Sequence, residues 1–212
     1  MNKAVLIAAC ALLVGCARGG AVESAASAVP DWRNVATPAD RARLRGWRTA
    51  FVTGLNQARS AGHAAEIARE GPLLDPDAGR TARPATGDYR CRVIKLGVKG
   101  QGGLPYVAYP PFMCRIDDEG GVASFTKLTG SQRPVGVILG SPQRHVFLGT
   151  LVLGDEKRAL DYGRDHERDL IGAVEALPDG RWRLIMPYPH YESLIDVIEL
   201  VPTSPTPEHR PG

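Results

Sequence analysis

The chain has no Cys-x-x-Cys pair, no glycine-rich phosphate loop leading into a helix, no second histidine at zincin spacing and no Gly-x-Ser-x-Gly elbow. Zinc ribbons, phosphate-loop nucleotide binding, zinc-dependent hydrolysis and elbow-type serine hydrolysis each depend on one of those arrangements, so none has support here. Beyond its first residues the chain also lacks any apolar run near the about 20 residues needed to cross a bilayer as a helix. Charge of one sign is scarce. The net value is +3 over 212 residues, and the arginines that dominate the cations are spread along the chain, which argues against a nucleic-acid partner. There is no internal repeat, and no residue pattern calls for a cofactor or a metal.

What is present starts at the N-terminus. Lys3 precedes the apolar run Ala4 to Val14, and small Gly15 stands before Cys16; this is the layout of a secretory leader, too short to be a membrane span. The end of the leader, Leu13-Val14-Gly15-Cys16, resembles the lipobox of bacterial lipoproteins. That resemblance implies a signal peptide over residues 1–15, cleavage before Cys16 and acylation of Cys16. With Ala17 rather than aspartate in the next position, it further implies an outer-membrane anchor with the folded domain in the periplasm. Several acyl chains, at about 0.8 kcal/mol per buried methylene, hold far more firmly than one.

Cys10 leaves with the leader and Cys16 is taken by lipid, so Cys91 and Cys114 remain for the domain. In an oxidising compartment an even pair is expected to form a disulfide. Closing a loop of roughly 22 residues would then stabilise by about 3 kcal/mol in the chain-entropy account. Composition, 43% hydrophobic and 23% charged, is that of an ordinary globular domain.

Residues 16–30, the lipidated cysteine and an Ala-, Gly- and Ser-rich stretch, are expected to be a flexible tether. Residues 31–86 form a helical lead-in and linker. Thr37-Pro38-Ala39-Asp40 is a good helix start, and Leu44, Trp47, Phe51, Leu55 and Ala58 mark one apolar face of a helix running to about Gly62. A second short helix is expected over His63 to Glu70, and the proline-rich residues 71–86 as a linker. From Gly87 the period becomes two: Tyr89, Cys91 and Val93 alternate with Arg90 and Arg92. Strands are expected near 87–96, 105–117, 122–129, 134–140, 144–153, 168–177, 181–187 and 193–201, with turns at Glu119-Gly120-Gly121, Gly130-Ser131, Gly140-Ser141-Pro142 and Pro178-Asp179-Gly180. Glycines within strands, Gly136, Gly149 and Gly172, suit the bends that close a sheet on itself. The fold class is therefore mainly β, an antiparallel small β-barrel of about eight strands over residues 87–201, preceded by one or two N-terminal α-helices. Residues 202–212 are expected to be a disordered tail.

The densest polar turn is Lys127 through Pro134. Lys127, Ser131, Gln132 and Arg133 there are the candidate binding residues, suited to a carboxylate or phosphate group. Asp165-His166-Glu167-Arg168-Asp169 reads as a solvated charged loop, and His190 sits in a turn after Pro187-Tyr188-Pro189. Arg92, Arg115 and Asp117 are expected on the outer, solvent-facing side of the sheet, with Phe112, Cys114 and Ile116 on the other.

Asp31-Trp32, Gly87-Asp88-Tyr89-Arg90-Cys91-Arg92, Phe112-Met113-Cys114, Lys127 to Arg133 and Arg181-Trp182-Arg183-Leu184-Ile185-Met186-Pro187 together resemble an uncharacterised domain-of-unknown-function family of proteobacterial secreted and lipoprotein sequences. The resemblance implies no activity and no site residues. Gly87-Asp88-Tyr89 after a helical lead-in is more loosely similar to calycin-like barrels, although no Gly-x-Trp of the lipocalins is present. The expected function is a non-enzymatic binding module in the periplasm, taking a protein partner or a small apolar ligand. The alternatives are an envelope hydrolase working through His190 or His166 and nearby carboxylates, and a structural envelope lipoprotein.

Overall fold

The computed structural model describes residues 29–141 and 143–203. The expected signal peptide, Cys16, all but the last two tether residues and the tail from 204 lie outside the described residues.

Four short helices lead in: α1 (Trp32–Val35), α2 (Pro38–Arg45), α3 (Trp47–Ser60) and α4 (Ala64–Glu70), the last running into a 3-10 turn at Gly71–Leu74. Thr37 caps α2 as its sequence suggests, accepting from the Asp40 N–H, with Pro38 in the first turn. The single helix expected from Thr37 to Gly62 is in fact two, broken at Gly46. The two halves bury their apolar residues in different places, which a straight helix could not do: Leu44 packs with Trp32, Leu148 and Ile171, whereas Phe51 and Leu55 pack with Ile94, Ile185 and Val197. Gly46 also lies against the ring of Tyr188, 2.9 Å from where a Cβ would stand.

Ten strands follow: β1 (Arg80–Thr81), β2 (Gly87–Leu96), β3 (Tyr106–Ala108), β4 (Phe112–Glu119), β5 (Val122–Lys127), β6 (Gln132–Ser141), β7 (Arg144–Leu153), β8 (Asp169–Ala176), β9 (Trp182–Pro187) and β10 (Ile195–Pro202). β2, β4, β5, β6, β7, β8, β9 and β10 pair in that order, all antiparallel, and β10 returns to β2 to close an eight-stranded barrel. Three details differ from the sequence expectation. The strand expected over 105–117 is interrupted by Pro110 and Pro111, which have no N–H to donate; the register with β2 slips by one residue between β3 and β4, as at a bulge. The segment read as linker contains β1, which pairs with β8. Pro202, placed in the tail by sequence, ends β10.

The barrel interior and two outer clusters make the core. Tyr89, Phe125, Phe147, Val174, Leu184 and Leu200 point inward, Phe125 and Phe147 edge to face at 5.7 Å between ring centroids. Outside, α1 and α2 cover β6, β7 and β8, while α3, α4 and the 3-10 turn cover β2, β9 and β10. Among the described residues, no helix is long and apolar enough to cross a membrane.

Candidate functional site

The two ends of the barrel differ. One is filled by the aromatic layer, with the Tyr89 hydroxyl donating to the Ala85 carbonyl at 2.6 Å. At the other a cavity of about 330 Å³ opens where the ends of β2, β5, β7 and β9 meet the starts of β4, β6, β8 and β10. Its wall is apolar: Val93, Phe112, Leu151, Leu170, Met186 and Ile198 all face it. The lower half of the barrel is therefore packed and the mouth is hollow.

Strand alternation brings three charged side chains into that apolar wall. On β5, Ala123 and Phe125 are inward, so Lys127, two residues on, is inward as well; it lies directly opposite inward Cys114. Its Nζ stands 4.2 Å from the Phe112 ring centroid. Gly130, at φ +95°, makes room for it: a Cβ there would be 3.3 Å from that nitrogen. Burial, reinforced by Lys95 and Arg133, pulls the Lys127 ammonium below the usual lysine range. On β2 the same alternation carries Tyr89, Cys91 and Val93 to Lys95, which faces Asp196 across the β2–β10 pair. Lys95 Nζ is 3.2 Å from Asp196 Oδ2 and 3.2 Å from Glu192 Oε2, and the Ser193 hydroxyl donates to the other Asp196 oxygen. Burial works against the charged form of Lys95, but the Asp196 and Glu192 carboxylates outweigh it and hold this ammonium above its ordinary range.

The β9–β10 loop forms part of the mouth. Tyr188 at φ 47° and Glu192 at φ 64° are the non-glycine residues with positive φ among the described residues, and they flank Pro189, His190 and Tyr191, all of which line the cavity. Such backbone costs about 1–3 kcal/mol per residue and persists only where the surroundings hold it. Here the Tyr188 N–H donates to the Leu194 carbonyl at 2.8 Å, the Lys99 N–H to the Glu192 carbonyl at 3.0 Å, the Lys99 ammonium to the Pro189 carbonyl and Arg43 to the Tyr188 carbonyl at 3.2 Å. His190 Nδ1 lies 3.4 Å from Glu167 Oε2. Burial, then the Arg43 charge, lowers the imidazole below its usual range.

Of the candidate binding residues, Lys127, Ser131 and Gln132 line the cavity. Arg133 does not. One position beyond Gln132, its guanidinium donates to the carbonyls of Gly130 at 2.7 Å, Gly154 at 2.6 Å and Glu156 at 2.6 Å, so it clamps the β5–β6 turn to the β7–β8 loop instead of meeting a ligand. His166 is largely exposed and bonds Asp169 at 2.9 Å. His190 does reach the cavity, where among the described residues no hydroxyl or thiol hydrogen-bonds its ring. No cluster of three or more potential metal ligands occurs among the described residues.

Cys91 and Cys114 are both buried in the barrel wall and are free thiols in this structure. Register pairs Tyr89 with Cys114 and Cys91 with Phe112, which makes the two sulfurs diagonal neighbours on one face. Burial and the contact with Cys114 push the Cys91 thiol far up. On the outer face Arg115 is bound by Asp88 with both side chains exposed, the paired surface charge expected there, whereas Arg92 is not solvent-facing: it is bound by the buried Glu70 of α4 and Glu199 of β10.

The sequence profile of a domain of unknown function, DUF4893, matches residues 32–200. The chain belongs to this family. The DUF4893 match spans α1 to β10, so it covers the helical lead-in, the barrel and the whole wall of the cavity. Neither the curated proteins nor the solved structures contain a match.

Lys95 and Asp196 were missed in the sequence. The signal was available, because the run Tyr89-x-Cys91-x-Val93-x-Lys95 ends an inward-facing series on a cation, and Asp196-x-Ile198-x-Leu200 begins another on an acid.

Proposed function

We propose that this DUF4893 domain is a binding module that takes a small, largely apolar molecule into the mouth of its barrel, and that it works in the periplasm on a lipid anchor at Cys16. The observation that carries the reading is the cavity of about 330 Å³, which falls within the about 300–1,000 Å³ of small-molecule sites and has their character, an apolar wall with a few convergent polar groups. Its rim supports the same reading: Tyr109 and Tyr191 line the cavity yet are 42% and 41% exposed, so aromatic surface borders the approach to the mouth. The anchor rests on the leader and lipobox. In that compartment the diagonally neighbouring Cys91 and Cys114 thiols close to a disulfide, which adds a covalent tie between β2 and β4.

Native mass spectrometry of the full chain purified from envelope extracts tests the reading. A bound mass that leaves on denaturation, and that is reduced about tenfold in occupancy by Leu170→Trp, is the expected result. A clean apo mass from such extracts, together with no uptake of added octyl-chain amphiphiles, would overturn it. The same spectra report the disulfide as the loss of two hydrogens, and labelled palmitate that incorporates into the wild type but not into Cys16→Ser reports the anchor.

A further inference from the structure

Among the described residues, the other cations in or near the mouth are already matched. Lys95 has Asp196 and Glu192, Lys99 has the Pro189 carbonyl and Arg133 has three carbonyls. Of the two described lysines that line the cavity, Lys127 is the one with neither a carboxylate nor a carbonyl partner; its contact is the face of Phe112. It is half-buried, inward by strand alternation, and seated on a wall of Val93, Leu151, Leu170 and Met186. An ammonium in such a place costs free energy that a single cation–π contact only partly offsets. The turn that follows, Thr129 to Gln132, places two hydroxyls and an amide on the same cavity, and Gly130 leaves the ammonium uncovered.

We propose that the ligand is an amphiphile with a single carboxylate, its head received by the Lys127 ammonium with donors from Thr129, Ser131 and Gln132, and its short apolar body lying against Val93, Leu170 and Met186. This rests on the reading of the cavity as a small-molecule site and adds the chemical class. The opposite polarity, a cationic head on Asp196, is disfavoured because that carboxylate is committed to Lys95 and Ser193. At about 30 Å³ for each water-sized group, the space accepts roughly ten non-hydrogen atoms, the size of octanoate.

Calorimetric titration of the full chain carrying Cys16→Ser, so that no acyl chain of its own competes, with octanoate, 1-octanol and octylammonium decides the matter. Octanoate is expected to bind about tenfold or more tightly than octanol, with octylammonium weakest. Lys127→Met should remove that preference and leave octanol binding in place, while Lys127→Arg should keep it, and thermal melts establish that both variants are folded. Equal affinity for octanoate and octanol in the wild type, a preference that survives Lys127→Met, or tighter binding of octylammonium would each overturn the assignment while leaving the cavity reading intact. Failure of all three to bind would overturn the cavity reading itself.

Discussion

Arg183 is an arginine whose side chain has no exposed surface, and its position on the barrel's outer face explains how that is tolerated. Its neighbours Trp182 and Leu184 point into the barrel, so alternation sends Arg183 out beneath the helical lead-in. There its Nε and Nη2 bond Glu175 Oε2 at 2.9 and 2.8 Å, and Nη1 donates to the carbonyls of Pro72, Leu73 and Asp75 at 3.2, 3.0 and 2.6 Å. The guanidinium also stands 5.6 Å from the Phe51 ring centroid. One side chain thus satisfies the carbonyls of the 3-10 turn and pins α3 to β9. Removing one partner of a buried pair strands the other, at a cost of about 3–5 kcal/mol. Urea unfolding of Arg183→Met should show a loss of that size, and the double variant Arg183→Met/Glu175→Leu a smaller one. A single-variant loss below about 1 kcal/mol would mean that the lead-in is held by its apolar contacts alone.

At the scale of elements, the pair Gly136 and Gly149 carries the curvature of the barrel. They face each other across β6 and β7, and a Cβ on Gly136 would stand 2.2 Å from the Leu148 carbonyl oxygen, one on Gly149 2.3 Å from that of Val135. Because the obstructing atoms are backbone, the strands must part to admit a methyl group. Gly136→Ala and Gly149→Ala should each cost about 1–3 kcal/mol in denaturant unfolding, and a variant as stable as wild type would show that the pairing there is slack. These glycines were legible in the sequence as bends, and so were most strand positions, because turns such as Glu119-Gly120-Gly121 need φ of +66° and +94° at their glycines and punctuate the chain. The alternation itself was clear only where one face is wet. On β4 inward Cys114 and Ile116 alternate with exposed Met113, Arg115 and Asp117, whereas β7 is buried from Val146 to Val152 because α1 and α2 cover its outside. For the same reason the helix break at Gly46 was hidden: it answers to a Tyr188 ring 142 residues away in sequence, and no local pattern encodes that contact. Lys127 was legible as a polar turn residue, but its inward direction follows from pairing with Cys114, and Arg133, its near neighbour in sequence, goes to carbonyls that only the closed barrel brings together.

For the whole molecule, two partly buried imidazoles set the acid side of its stability. His145 is held below the ordinary value of 6.5 by burial and then by Arg83, and His190 by burial and then by Arg43, with Lys99 adding and Glu167 and Asp40 opposing. Both are therefore neutral in the fold at a pH where the unfolded chain already takes up protons. The unfolded state binds more protons than the native one, so stability rises with pH in this window. The contribution is fully present above the unfolded value and is lost as pH falls through 6.5 toward the lower folded values. Surface carboxylates continue the same trend at lower pH, since Asp88, Asp118, Glu156 and Asp179 are all held below their usual range, chiefly by Arg115, the Gly121 N–H, the Leu153 N–H and Arg181 respectively, while Asp196, which burial pushes up, works the other way. Their contributions go once pH drops below about 4. Urea midpoints should hence decline in two stages, first from neutrality toward pH 5 and then again below pH 4. Replacing both histidines, His145→Gln with His190→Gln, should flatten the first stage and leave the second. Because His190 belongs to the strained β9–β10 loop at the mouth, the single variant His190→Gln should account for part of that flattening, and a first stage unchanged in the double variant would place the acid sensitivity elsewhere in the barrel.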